Sequence, residues 1–334
     1  MTMKKYSCII LLILTYAWAN AQYIPNNAQS FQFMPLFNPA FSGIENFNDA
    51  KFSYRYQWSG FGSYSPKFIN LSYNTRLVSP LDLAYNSPRL SDPSATNPEN
   101  LPRSRRMIHG IGGNIFHSEV GVLKSIGGNV NYSIHYPVSE KARFAVGASL
   151  LIENRKMDVS EVSVRNPDDP FYNYLLGGST SQTDLNLRAG VVLYAQNYYI
   201  GVTYFPLMYT VLEKSDLAMT QPFYRGSAQA GLSFTLNPDV TLKPSVMALI
   251  QMNNEINLDF NAKAYFKQNV WLGLTYRDIE SGVAIVGWNF NEKLSASYSY
   301  EMSLGQFKQF NDGSHELVVA FRLNNFKKYP QYTW

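Results

Sequence analysis

From Ile256 to Phe266 the chain alternates: Ile256, Leu258, Phe260, Ala262, Ala264 and Phe266 are interleaved with Asn257, Asp259, Asn261 and Lys263. The same period of two recurs where Leu294, Ala296, Tyr298, Tyr300 and Met302 face Ser295, Ser297, Ser299, Glu301 and Ser303. It recurs again where Phe52, Tyr54, Tyr56 and Trp58 face Lys51, Ser53, Arg55 and Gln57. Successive side chains of a strand point to opposite faces, so this pattern predicts strands with one apolar and one polar face. Read end to end, it places strands at 50–60, 67–78, 107–117, 121–137, 141–156, 184–196, 197–206, 224–236, 239–251, 254–267, 269–278, 281–290, 293–304 and 315–324. Fourteen strands of about ten residues, alternating apolar-out and polar-in, are what a transmembrane β-barrel requires. A secreted sandwich shows the same alternation strand by strand. Against it stand the length of the runs and a second face made of small polar residues. The expected fold is therefore an all-β, single antiparallel transmembrane barrel with short periplasmic turns and longer extracellular loops.

The turns fit this reading. With the first strand starting in the periplasm, the connections after even strands are short: Pro137–Glu140, Gln196-Asn197, Asn237–Asp239, Lys267–Asn269 and Asn291–Lys293. The loops 156–183 and 206–223 fall on the other side. The exception is the connection from about 79 to 106, which carries Pro80, Pro88, Pro93, Pro98 and Pro102 and the basic cluster Arg103, Arg105 and Arg106.

At the amino end, Lys4 and Lys5 precede an apolar run from Ile9 to Leu14 and then Ala19-Asn20-Ala21, the layout of a secretory signal peptide cleaved after Ala21. The run is too short for a spanning helix. The expected organisation is signal peptide 1–21, an N-terminal segment 22–49 in the periplasm or the lumen, a barrel 50–324 and a C-terminal tail 325–334. Cleavage removes Cys8, the single cysteine of the 334 residues, so a disulfide, a thiolate metal site and a cysteine nucleophile are not expected. Aromatic residues make up 15% of the chain and charged ones only 16%. Without the two leader lysines, 26 basic side chains remain of 28, against 24 acidic ones. That near balance excludes a nucleic-acid binder as a class.

Candidate chemistry is sparse. His109, His117, His135 and His315 show no metal-ligand spacing. His117 and Glu119 share a strand face, read as polar lumen residues. Gly110, Gly112 and Gly113 lack the helix and lysine of a phosphate loop and read as close packing. Asn166, Asp168 and Asp169 beside Pro167 and Pro170 read as a turn and lack calcium-loop spacing. An enzyme is not expected, and no cofactor or metal is implied.

One local pattern is specific. Ser30 to Gly43 reads SFQFMPLFNPAFSG, followed by Tyr54-Arg55-Tyr56-Gln57-Trp58-Ser59-Gly60. This resembles the PorP/SprF family of type IX secretion system membrane proteins, which open with an N-P-A-(Y/F)-x-G segment and continue into an R-x-Q-W strand. Gly110 to Gly121, Ile134 to Ser139, Asn166 to Phe171 and His315-Glu316-Leu317 extend the similarity along the mature chain. The resemblance marks Phe37, Asn38, Pro39, Ala40, Gly43, Arg55, Gln57 and Trp58 as signature positions, structural or partner-binding. It implies an outer-membrane component that binds periplasmic lipoproteins of the machinery, with Arg103, Arg105 and Arg106 as candidate contacts. It also implies support for export or surface anchoring of cargo with a C-terminal sorting domain, such as gliding adhesins. From the residues themselves, Pro39 fixes its own φ and holds Asn38 out of the helical region, so the segment steers the chain into the first strand or packs inside the lumen. Arg55 and Gln57 face the lumen, with Trp58 on the lipid side near an interface. The alternative function is a passive or substrate-specific transport channel of the fatty-acid-transporter kind. Such a channel would carry an apolar N-terminal plug, whereas residues 22–50 are rich in Asn and Gln.

Overall fold

The computed structural model describes residues 27–77, 107–139, 141–158, 168–177, 180–214, 224–267, 269–278, 281–305, 308–309 and 311–323. The leader and its cleavage site, the tail 325–334, nearly all of the Pro-rich connection with Arg103, Arg105 and Arg106, and Asn166 lie outside the described residues.

Fifteen strand segments follow one another: β1 Asn48–Tyr56, β2 Lys67–Leu77, β3 Ile108–Val120, β4 Leu123–Pro137, β5 Ala142–Met157, β6 Ser181–Ala195, β7 Tyr198–Glu213, β8 Tyr224–Leu232, β9 Phe234–Asn237, β10 Val240–Gln251, β11 Ile256–Phe266, β12 Val270–Arg277, β13 Ser281–Asn289, β14 Leu294–Ser303 and β15 Ser314–Leu323. Each pairs antiparallel with its sequence neighbour, except that β8 and β9 both pair with β10, while β1 pairs with β15 from Asn48↔Leu323 to Tyr56↔His315. The ring is closed. β8 and β9 together make one stave broken at Ser233, so the barrel has fourteen. The break has a cause in the facing strand. The β10 ladder passes from Leu242↔Phe234 to Ser245↔Gly231, and the skipped pair Lys243-Pro244 includes a residue with no backbone donor.

The alternation sets which face is which, and the outcome inverts a soluble protein. On β1, Asp49, Lys51, Ser53 and Arg55 are buried while Phe52 and Tyr54 are exposed. Outside, Ile115, Val130 and Leu274 are each more than 60% exposed; inside, Asn70, Ser133, Gln229 and Glu316 are at most 1% exposed. Water would penalise such an exterior, and lipid favours it. Exposed aromatics gather toward both rims: Tyr136, Phe144, Phe266 and Trp288 near the short turns, Tyr54, Tyr64, Tyr204 and Tyr276 toward the long loops. No helix among the described residues is long and apolar enough to cross a membrane; the strands cross it.

Two expectations need correcting. β7 continues past Pro206 to Glu213 because that proline falls at a register shift between β6 and β7, where a missing N–H costs no ladder bond. His117 and Glu119, read as lumenal, point outward. The inward set of β3 is Gly110, Gly112, Asn114 and Ser118, so the odd positions meet Lys67 on the outer surface near the long-loop rim, with His117 Nε2 3.2 Å from Glu119. Asp169 turns the 158–180 connection into the helix Pro170–Gly177, its carboxylate accepting the Tyr172 N–H at 3.1 Å.

Candidate functional site

The lumen is filled by the chain's own N-terminal segment. From Asn27 to Phe47 almost every residue is buried, although Pro35, Leu36 and Asn46 are only half so. From Asn27, its first described residue, beside Arg277 and Glu316 near the long-loop end, the segment runs down the lumen to enter β1 at the short-turn end. Its path is a chain of tight turns. A 3-10 turn Ser30–Gln32 leads to one helical turn Met34–Phe37 with Pro35 at its start; Asn38 is extended; a second 3-10 turn, Pro39–Phe41, follows. Asn38 caps that turn, its Oδ1 accepting the Ala40 N–H at 3.0 Å.

This corrects the expectation drawn from Asn and Gln content, because the plug is substantially apolar. Phe31, Met34, Ala40, Phe41 and Ile44 pack with Ala145, Val192, Tyr194, Tyr265, Trp271, Val283 and Ile285 of the wall. Phe31 meets Trp271 edge-on at 5.9 Å between ring centroids, and Lys263 Nζ lies 4.2 Å from the Phe31 centroid. The amide side chains around this core face wall groups, so their abundance reflects a polar barrel interior and not a solvated tail.

The signature residues form the seat of the plug. Asn38 Nδ2 points between the carbonyls of Val191 (3.2 Å) and Val202 (3.4 Å) and toward Gln229 Oε1 (3.3 Å). It reaches them because the wall carries glycine there. A Cβ on Gly190 would lie 2.2 Å from Asn38 Oδ1, one on Gly201 2.9 Å from Asn38 Nδ2, and one on Gly147 2.4 Å from the Ala40 nitrogen. Gly43, at φ +70, packs its backbone on Gly110, where an added Cβ would sit 2.1 Å from the Ser42 carbonyl. The Gly-rich third strand is therefore a bearing surface for the plug.

Charges lock the plug's first residues. Arg55 Nη2 lies 2.7 Å from Glu301 and Nη1 3.6 Å from Glu316; Arg277 lies 3.5 Å from Glu301 and 3.5 Å from Asp259. Glu316 accepts the Ala28 N–H at 2.5 Å and Asn27 Nδ2 at 3.1 Å, while Arg277 donates to the Asn27 carbonyl at 2.5 Å. Gln57 accepts from Arg55 Nε at 3.3 Å. Two guanidiniums thus lie among three carboxylates beside the plug's first described residues, Asn27 and Ala28. Elsewhere the wall holds the plug mainly by its main chain. Lys51 donates to the Gln32 carbonyl, Asn131 to Pro35, Arg188 to Leu36, Ser227 to Phe37, Ser133 to Ser42, and Arg76 to both Gly43 and Ile44, at 2.6–3.3 Å.

Of the signature positions, Phe37, Asn38, Pro39, Ala40 and Gly43 lie in the plug and Arg55 and Gln57 against its start. Trp58 stands apart at the long-loop rim, half-buried, at φ 51 and packed on Phe61. Sequence reading missed Gly147, Gly190 and Gly201 and the buried His135, which reaches the Ser42 carbonyl at 2.8 Å and the Tyr194 hydroxyl at 2.9 Å. The only signal was an inward-phase glycine in three neighbouring strands.

A family model described as type IX secretion system membrane protein PorP/SprF matches residues 19–321. The chain belongs to the PorP/SprF family. It is an outer-membrane barrel of that family, and the N-P-A-F-x-G segment is its lumenal plug. A comparison with curated protein sequences gives no match. Among solved structures the barrel is similar to the Ralstonia pickettii toluene transporter TbuX, at 10% identity over 86% of this chain and 93% of that one, with a TM-score of 0.48. It is also similar to the Acinetobacter baumannii outer membrane protein Omp33 (8%, 84% and 100%, 0.46) and to the P. putida toluene transporter TodX (11%, 87% and 93%, 0.45). Within the PorP/SprF chain no group of three or more His, Cys, Asp or Glu side chains among the described residues is placed to hold a metal ion.

Proposed function

We propose that this PorP/SprF barrel is a non-enzymatic, partner-binding component of the type IX secretion system that supports export or surface anchoring of cargo bearing a C-terminal sorting domain, gliding adhesins among them. The supporting observation is the family match over 19–321 in a chain whose lumen is occupied by its own residues. A plug fastened by ion pairs and a glycine seat works against an open water path, while a substrate-specific channel with an apolar plug is the second reading, which the test below separates.

The partner side of the proposal is the short-turn rim, facing the periplasm. The connection bearing Arg103, Arg105 and Arg106 leaves β2 and returns to β3 at that rim, and its guanidiniums would pair with carboxylates of a lipoprotein partner. Affinity purification from detergent-solubilised outer membranes is the test. Recovery of secretion-system lipoproteins, and its loss on reversing the three arginine charges with barrel abundance unchanged, are the expected results. Solute flux in liposomes with no co-purifying partner would overturn the reading in favour of a transport channel.

A further inference from the structure

Among the described residues six lysines stand on strands, and they divide by face. Lys51, Lys243 and Lys263 point into the lumen, while Lys67, Lys124 and Lys156 point out. The outward three are not scattered. The ladders run Lys67↔Glu119↔Lys124↔Lys156 over β2, β3, β4 and β5, a single cross-strand row at the long-loop rim. Three strand spacings place the whole row within about 14 Å. Its side chains are accessible: those of Lys67 and Lys124 are each 38% exposed, and Lys156 is exposed as well. Lys67 Nζ lies 3.7 Å from Glu119 and Lys124 Nζ 3.0 Å from Asp158, so carboxylates brace the ammoniums at the rim, yet three cations outnumber the two anions. Two and four residues nearer the membrane middle, Ile69, Ile126, Ile115 and Ile152 stand 36–63% exposed on the same face. Around the other side of the barrel the outward positions of this rim carry Tyr276, Tyr300 and Tyr56 instead.

We infer that the row is a docking site for a phosphorylated lipid, with the phosphate on the three lysines and the acyl chains along the isoleucines. An aromatic rim takes lipid of any headgroup, whereas a basic row directly above an apolar strip selects an anionic one. The lysine arms are long enough to converge on one phosphate from both sides of Glu119, their stems lying on apolar surface and their ammoniums at headgroup depth. An acidic protein segment would match the charge but not the isoleucines, which face hydrocarbon. The inference needs only the barrel and its outward face, so it stands whether or not the secretion reading holds.

The test titrates the full-length protein, purified in a non-ionic detergent, with dioleoyl phosphatidic acid and reads bound lipid by native mass spectrometry. Phosphatidic acid is expected to be retained about tenfold more strongly than phosphatidylcholine, and less so as salt rises. Lys67→Gln, Lys124→Gln and Lys156→Gln together should abolish that preference at unchanged heat-modifiable migration. The matched triple Lys141→Gln, Lys267→Gln and Lys293→Gln, at the short-turn rim, should keep it. Should the first triple disturb assembly, Lys156→Gln alone gives the same comparison with a smaller loss. Equal retention by wild type and the first triple, or equal loss in both triples, overturns the inference. So does displacement of the lipid by an equal concentration of inorganic phosphate, or a photo-crosslinker at position 126 that captures protein and no lipid in intact outer membranes.

Discussion

Arg55 shows how a single position can be both a family signature and a structural necessity. It lies between Glu301 and Glu316 inside the lumen, and its loss leaves two carboxylates facing each other with only Arg277 nearby. Arg55→Leu is expected to lower stability by about 3–5 kcal/mol, read as a drop in the temperature of heat-modifiable migration. Adding Glu316→Gln should recover part of that loss, because it removes one of the stranded charges. Gly147 makes the complementary case. A branched side chain there meets the Ala40 backbone, which cannot rotate aside, so Gly147→Val should unseat the plug while the wall closes normally. Single-channel recording in planar bilayers should then show conductance that wild-type protein lacks.

At the scale of elements, the alternation decides facing, and facing can be checked by charge. Leu272 is half exposed on the outer surface of β12, and an arginine there should cost on the order of 2–4 kcal/mol and lower the amount of assembled barrel in the membrane. Asn257, on the inward phase of β11 near its long-loop end, should accept arginine; equal losses at the two sites would mean the phase is wrong. The strands were legible because lipid and lumen impose opposite demands on successive residues, a constraint each segment of ten carries on its own. The plug was not legible to the same degree. Its turns depend on Pro35, Pro39 and Gly43, which local rules do flag, but its burial depends on partners 100 to 290 residues away, such as Glu316 for Asn27 and Gly190 for Asn38. The phase of β3 was misread at His117 for a related reason. A polar pair at a rim faces headgroups and water on either side, so polarity alone does not assign it a face there.

The whole molecule is a wall and its filling made from one chain, with the filling first in sequence. Purified protein should give β-rich circular dichroism and run as a compact band on gels until heated, since the closed ladder has no edge from which to fray. Cysteine at position 94, in a chain whose single native cysteine is Cys8 and with Cys8 replaced by serine, tests which way the barrel is set in the membrane. Labelling by an impermeant maleimide only after lysis is the expected result, and labelling of intact cells would reverse the orientation. The seam where β1 meets β15 carries a further consequence. Arg55 and Glu316 stand opposite each other across that seam, and Glu316 is also the residue that receives the plug's Ala28. The ladder that joins the first strand to the last is therefore tied by the same carboxylate that docks the filling. A wall that closes without its filling leaves that carboxylate short of its amide donors, so an unseated plug weakens the seam even where the ring still closes.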